Sequence, residues 1–248
     1  MALPDLVLVH GGAHAADCWE LTVAELARQE PELKVLAVDL PGRGGRPADL
    51  STVTIADWVD SAVADIEEAG FGDVVVVGHS MAGLTVPGVV AKLGQARVRE
   101  MIFLTAFVPP QGSSVVDTLR GPLAPLARSA RRLPQSFELP PAAARFAFCN
   151  GMTREQRKLV VSRLYRESPN VIFEPADRSD LPDDVPRAWI MTLRDRALSL
   201  RQQLTAIRSL GGVETMICLD GCHDAMFSHP ERLAAILADR CRLWTTPK

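Results

Sequence analysis

The sequence predicts an α/β fold: a mostly parallel, doubly wound sheet with a helical cap inserted after the strand ending near Thr105. Three observations carry this reading. Short apolar runs with little polar alternation suit strands covered on both faces. Amphipathic segments at helical spacing separate those runs, which implies right-handed crossovers and helices on both faces of a sheet. The rhythm then fails between Pro109 and about Pro186, where no buried strand is legible. The division expected is a core of residues 1–108 and 187–248 and a cap of residues 109–186.

The strands expected in order are Leu6–Val9, Val35–Asp39, Val74–Val77, Met101–Thr105, Ala188–Leu193 and Glu214–Leu219. Ile55, Trp58, Val59, Ala62, Val63 and Ile66 follow helical spacing, and Gly70 fits the stop. Leu200, Leu204 and Ile207 repeat the pattern before Gly211. Ser228 and Glu231 have the spacing of a capping box and open a final helix carrying Leu233, Ile236, Leu237 and Cys241. Inside the cap, Pro122, Pro125, Pro134, Pro140 and Pro141 interrupt the first half. Met152–Tyr165 reads as a helix capped by Thr153.

Composition narrows the partners. Of the 248 residues 47% are hydrophobic, ample for a large core, and the net charge of −3 gives no basic field for nucleic acid. The five cysteines lack CxxC or zinc-type spacing, which fits a reduced, cytoplasmic protein with buried thiols. No signal peptide is apparent, since Asp5 interrupts the first apolar stretch, and no apolar run approaches the roughly 18 residues needed to span a membrane. A small-molecule partner is expected. Oligomeric state is left open, a homodimer included.

The chemistry centres on Gly78-His79-Ser80-Met81-Ala82-Gly83, directly after Val74-Val75-Val76-Val77. A strand that runs through a glycine-flanked serine into a helix is a nucleophile elbow: the turn is strained, small neighbours relieve it, and the hydroxyl stands free at the sheet edge. A serine hydroxyl needs a base and a group to orient that base. His223, on a short loop after the last strand, is the expected base, and chain order also selects it. Asp195, two residues past Leu193, is the expected acid, with Asp117 the rival; Asp220 and Asp224 lie too close in sequence to His223 to turn back on its ring. Attack on a carbonyl creates an oxyanion, for which one backbone donor is worth about 3–4 kcal/mol. The donors expected are the N–H groups of Met81 and Gly12, with Ala13 the alternative to Gly12.

Of the remaining histidines, His10 is read as holding a turn, His79 as packing, and His229 as facing solvent. His14 is read either as lining the entrance or as a solvated loop side chain. His10 and His14 mimic a metal pair at i, i+4, but the glycines between them argue against a helix, so no metal is expected. Ala13, His14 and Phe107 are the substrate-lining candidates; Trp19 and Met152 suit either a pocket or the core. Arg120, Arg128, Arg131 and Arg132 read as a solvated basic face.

Together these residues resemble the α/β-hydrolase superfamily. Val9-His10-Gly11-Gly12 matches its first loop, Asp39-Leu40-Pro41-Gly42-Arg43-Gly44 resembles its Asp-x-Pro-Gly-x-Gly loop, and the elbow, Asp195 and His223 complete the order. Within it the chain is similar to the compact esterases related to plant methyl esterases and hydroxynitrile lyases, on His10-Gly11-Gly12-Ala13-His14 and Gly221–Ser228. Ala82 departs from the usual Gly-x-Ser-x-Gly, and the turn is expected to survive the added methyl. The lyases usually carry threonine at the position of Gly11 and lysine just after the base. Here Gly11 and Asp224 stand in those places, which disfavours cyanohydrin cleavage.

The resemblance implies a cofactor-free enzyme cleaving a small carboxylic ester, a methyl ester or lactone, through an acyl-enzyme. A lyase, C–C hydrolase or cyclase on the same three residues is the alternative. A non-catalytic receptor is disfavoured because none of the three is missing.

Overall fold

Six strands form one parallel sheet: β1 (Asp5–Val9), β2 (Val35–Val38), β3 (Val74–His79), β4 (Val98–Leu104), β5 (Arg187–Thr192) and β6 (Thr215–Leu219), in the spatial order β2-β1-β3-β4-β5-β6. The computed structural model describes residues 2–121, 123–132 and 135–245. Pro122 and Pro134, expected to break the cap, lie outside the described residues, as does the Arg131 side chain.

The apolar runs explain why helices cover both faces. Side chains alternate along a strand, so a run with no polar alternate must be buried twice. Val7, Val9, Val74 and Val76 enter one core, and Leu6, Leu8, Val75 and Val77 the other. The helices are α1 (Glu20–Gln29), α2 (Ile55–Glu68), α3 (Val86–Leu93), α4 (Val115–Thr118), α5 (Leu123–Ser129), α6 (Pro141–Phe148), α7 (Arg154–Ser162), α8 (Pro169–Phe173), α9 (Leu200–Ser209), α10 (Ala225–Ser228) and α11 (Pro230–Leu243). Helices α2, α3 and α9 close the first core through Trp58, Ile66, Val89 and Ala206; α1 and α11 close the second through Leu26, Leu233 and Leu237.

Local signals set the helix ends. Thr54 and Asp57 form a capping box on α2, and Gly70 follows it with φ +64°. Thr153 and Gln156 cap α7 in the same way. The final helix differs from expectation. Ser228 closes the short α10, and α11 starts at Pro230 with His229 as an N-cap that makes no side-chain cap bond. Proline is preorganised for the first helical turn and has no N–H to satisfy there. It moves the start past Ser228, whose hydroxyl pairs instead with His229 Nδ1 at 2.8 Å. Strand β4 also begins three residues earlier than expected, at Val98, with a register shift opposite Val74/Val75.

Helices α4 to α8 all lie between β4 and β5. This inserted segment is tied to the core loop that precedes α2. Ser168 Oγ donates to Leu50 O (2.7 Å), Asn170 Nδ2 donates to Val53 O (2.8 Å), and Glu174 Oε2 accepts from Ile55 N (2.8 Å). On the β4 side, Phe107 N donates to Ser80 O at 2.8 Å. That contact brings the chain so close that a Cβ on Gly83 would sit 2.3 Å from Phe107 O. Because the clashing atom is backbone, Gly83→Ala is expected to lower the unfolding free energy in urea by about 1–3 kcal/mol, the usual cost of overpacking. An unchanged midpoint would contradict this crowding.

Candidate active site

The parallel order reverses between β1 and β3: the chain leaves β1 toward β2 on one side, while β3 and β4 run on the other. Loops diverge at such a point and leave a crevice at the carboxyl ends of the strands. Two loops meet there, Gly11–His14 after β1 and the turn Ser80–Gly83 after β3.

Ser80 holds φ +52°, a left-handed conformation that costs a non-glycine residue energy and aims its side chain out of the sheet edge. Its neighbours must be small. A Cβ on Gly78 would lie 2.6 Å from Val86 Cγ2, and one on Gly11 would lie 2.7 Å from Ser80 Cβ. Ala82 is buried within the turn, which forms with the extra methyl in place.

The loop after β6 brings His223 over this turn, and the loop after β5 brings Asp195. His223 Nε2 stands 2.9 Å from Ser80 Oγ, and His223 Nδ1 stands 2.7 Å from Asp195 Oδ2. A carboxylate accepts only, so Nδ1–H donates to Asp195 and Nε2 is left to accept from the serine hydroxyl; the tautomer is assigned from these partners. Asp195 Oδ2 also accepts from the hydroxyls of Thr105 (2.5 Å) and Thr192 (3.0 Å), and its Oδ1 accepts from the N–H groups of Ala197 and Leu198, both at 2.7 Å. Burial opposes ionisation of Asp195, yet the facing His223 and these hydrogen bonds outweigh it and hold the carboxyl below its ordinary range. Burial also disfavours a charged His223, but the Asp195 carboxylate and its hydrogen bond prevail and raise the imidazole above 6.5.

Thr105 and Thr192 were not singled out in the sequence. Thr105 directly follows β4 with φ +39°, which a β-branched residue adopts only under strain. A hydroxyl residue at the tip of each of two neighbouring strands was the available signal.

Beside Ser80 opens a cavity with apolar walls: Met81 and Phe107 from the core side, and Val115, Leu119, Phe137, Phe148 and Ile172 from the inserted segment. Gly12 and Ala13 line it as well. Gly12 is forced to be small, since a Cβ there would lie 2.5 Å from Met81 Sδ and 2.9 Å from Glu167 Oε2. Among the described residues no acceptor takes the Gly12 N–H. The Ala13 N–H, by contrast, donates to Glu167 Oε2 at 2.8 Å. Glu167 is the charged side chain of the lining; it is buried and pairs with the buried Arg43, and neither was expected at the site.

One sequence expectation needs correction. His14 neither lines the cavity nor faces solvent. It is buried, and its Nε2 donates to Asp224 Oδ2 at 3.1 Å. The ring turns inward because Phe148, Phe227 and His79 pack around it and the buried Asp224 supplies an acceptor. His79 packs beneath His223, with ring centroids 4.8 Å apart and Nε2 3.1 Å from His223 O. Burial and the neighbouring His223 hold its pKa well below the ordinary imidazole value. His10 accepts from Leu40 N at Nε2 and faces Gly11 O with Nδ1; burial and the Arg43 charge push its pKa down to about 3. Asp117 completes the capping box of α4, its Oδ2 accepting from the N-cap Ser114 N and Oγ, and Asp220 pairs with Arg194 at the surface.

His79, His223 and Asp224 bring donor atoms within 4.8 Å of one another. Both nitrogens of His223 are already engaged by Ser80 and Asp195, and His79 Nε2 faces a carbonyl, so the group reads as a hydrogen-bond network rather than a metal centre.

A six-stranded parallel sheet, a strained serine turn at its switch point and an imidazole between serine and carboxylate define an α/β hydrolase. Residues 6–236 match the model of the alpha/beta hydrolase family, and the chain belongs to that family. It is 27% identical over 261 residues to a putative chloroplastic methylesterase 11 of Arabidopsis thaliana, covering 96% of this chain and 64% of that protein. It is 34% identical over 125 residues to a carbendazim hydrolyzing esterase of Nocardioides sp. (strain SG-4G), covering half of each. The chain thus spans less than two thirds of both of these relatives. Among solved structures, an extracellular α/β-hydrolase from a Paenibacillus species superposes with a TM-score of 0.84 at 22% identity, covering 95% of this chain and 98% of that one. Among the described residues no helix is long and apolar enough to cross a membrane.

A Ser80 hydroxyl that passes its proton to His223 would need the neutral imidazole, so its reactivity is expected to fall as pH falls through the raised pKa of the ring. The rate of Ser80 labelling by an organophosphonate is expected to rise with pH to a midpoint above 6.5. Asp195→Asn removes what raises that pKa. It is expected to shift the midpoint down and to slow labelling at pH 8 by roughly 10³–10⁴-fold. A midpoint unmoved by the substitution would contradict the coupling.

Proposed function

We propose that this protein cleaves a small carboxylic ester, a methyl ester or lactone, through an acyl-enzyme on Ser80. Ser80 Oγ attacks the carbonyl carbon while its proton passes to His223 Nε2. Asp195 keeps the imidazole in the receptive tautomer and stabilises the imidazolium. The N–H groups of Gly12 and Met81 hold the developing oxyanion. As the tetrahedral intermediate collapses, the bond from carbon to the alkoxy oxygen breaks, and His223 returns the proton to the leaving alcohol. Water, deprotonated by His223, then releases the acid.

The observation that carries this reading is the hydrogen-bonded chain from Ser80 through His223 to Asp195 at the wall of an apolar cavity. An uncharged acyl or alkyl group suits walls of leucine, valine and phenylalanine, and Ala13 and Phe107 contact it. The methylesterase and esterase names of the relatives favour ester cleavage over the lyase, C–C hydrolase and cyclase readings. Residues 109–186 serve as the lid over the cavity. A cytoplasmic location fits five unpaired cysteines, of which Cys18, Cys149, Cys222 and Cys241 are buried.

The test is a panel of methyl, short-chain and lactone esters with wild type and Ser80→Ala. Turnover of at least one ester, lowered by at least about 10³-fold in the variant, is expected. Equal turnover by both proteins would overturn the assignment.

A further inference from the structure

We propose that Glu167 is a positioning residue that locks the oxyanion loop, so that seating of the lid and completion of the oxyanion hole are one event. This rests on the ester-cleaving reading above. The observation behind it is a clamp on a single residue. Ala13, next to Gly12, is held from both sides by the lid segment: its carbonyl accepts from Tyr165 N at 2.9 Å, and its N–H donates to Glu167 Oε2 at 2.8 Å.

Ala13 needs such a clamp. It holds φ +58°, a region that costs an alanine energy and that it leaves unless the surroundings over-determine it. No glycine stands there to remove the cost, and the local bond within the loop is long, His14 N to Gly11 O at 3.4 Å. The direction of the Gly12 N–H depends on the torsions of this loop, so a loop free to relax would turn that donor away from the carbonyl oxygen. A misdirected donor leaves substrate binding in place and weakens the transition state.

Glu167 is itself held rigidly. Its Oε1 accepts from the Arg43 guanidinium and from Ser168 N (2.7 Å), while its backbone makes both bonds of an antiparallel bridge with Phe137 at 2.8 and 3.0 Å. Arg43 belongs to the core loop after β2, so the carboxylate joins lid, core and oxyanion loop in one buried contact. Its oxygens are taken by these three donors, which fits a strut better than a ligand for substrate.

The experiment compares Glu167→Asp, Glu167→Gln and Glu167→Ala with wild type on the best ester of the panel. Binding of a trifluoromethyl ketone, which forms the oxyanion as a covalent hemiketal, is measured beside that of the product acid. Aspartate keeps the charge beside Arg43 but is one methylene too short to reach Ala13; glutamine keeps the reach but sets an NH2 donor against either Ala13 N–H or Arg43 and Ser168 N–H. All three variants are expected to lose about 10–100-fold in kcat with KM within about threefold, the loss of one weakened oxyanion donor. Affinity for the ketone is expected to fall in parallel and affinity for the acid to hold. Glutamine is close to isosteric with glutamate, so if Asp and Ala fail to fold, Gln still decides. Under this proposal it loses kcat and ketone affinity together, and a folded Gln variant with wild-type kcat and ketone affinity would overturn it. Folded Asp or Ala variants with wild-type kcat, or with losses in KM alone and unchanged ketone affinity, would overturn it as well. A wild type that turns over no ester would instead sink the functional reading, which the Ser80→Ala comparison tests separately.

Discussion

An imidazole suspended between a hydroxyl at 2.9 Å and a buried carboxylate at 2.7 Å is the contact on which the rest of the site depends. Neither bond is local: 143 residues separate Ser80 from His223, and 28 separate His223 from Asp195. Each partner sits on a different loop, so the geometry survives only if strands β3, β5 and β6 keep their register in one sheet. The carboxylate end is the more heavily braced. Two threonine hydroxyls and two backbone N–H groups fix Asp195, leaving the imidazole one direction in which to donate.

Close approach at the serine end shapes the surrounding sequence. Gly11, Gly12, Gly78 and Gly83 each stand where a methyl group would strike a neighbour within 3 Å, and together they let the β1 loop, the serine turn and the chain after β4 meet around one hydroxyl. The apolar cavity beside it is built from both sides. The core supplies a floor and the inserted segment a roof, and the buried Glu167–Arg43 pair stands where the two meet. Burying such a pair is expensive for stability, which makes its position against the loop after β1 informative about function.

Much of the fold was legible because its signals are local. Runs such as Val74–Val77 had to be buried on both faces, and capping pairs such as Thr153 with Gln156 announced helix starts. Chain order and the small residues around the serine pick out Ser80, Asp195 and His223, and the fold brings these three side chains into hydrogen-bond contact. What escaped depends on packing between distant segments. His14 turned inward to Asp224, 210 positions away, and no local pattern distinguishes that from a loop side chain. Glu167 sits in a segment with no strong periodicity, and its partners Ala13 and Arg43 lie 154 and 124 positions off. Ser228 kept the spacing of a cap but lost the role to Pro230, a competition between two local rules that propensity alone does not decide.

The account stands or falls on a covalent bond to Ser80. Mixing the protein with an activated ester, quenching in acid within the first turnovers and reading intact mass and peptide fragments tests it directly. A mass gain equal to the acyl group, confined to the peptide carrying Ser80 and absent in Ser80→Ala, is the predicted result. Continued ester turnover with the acyl group on another residue, or with Ser80 never acylated, would contradict it.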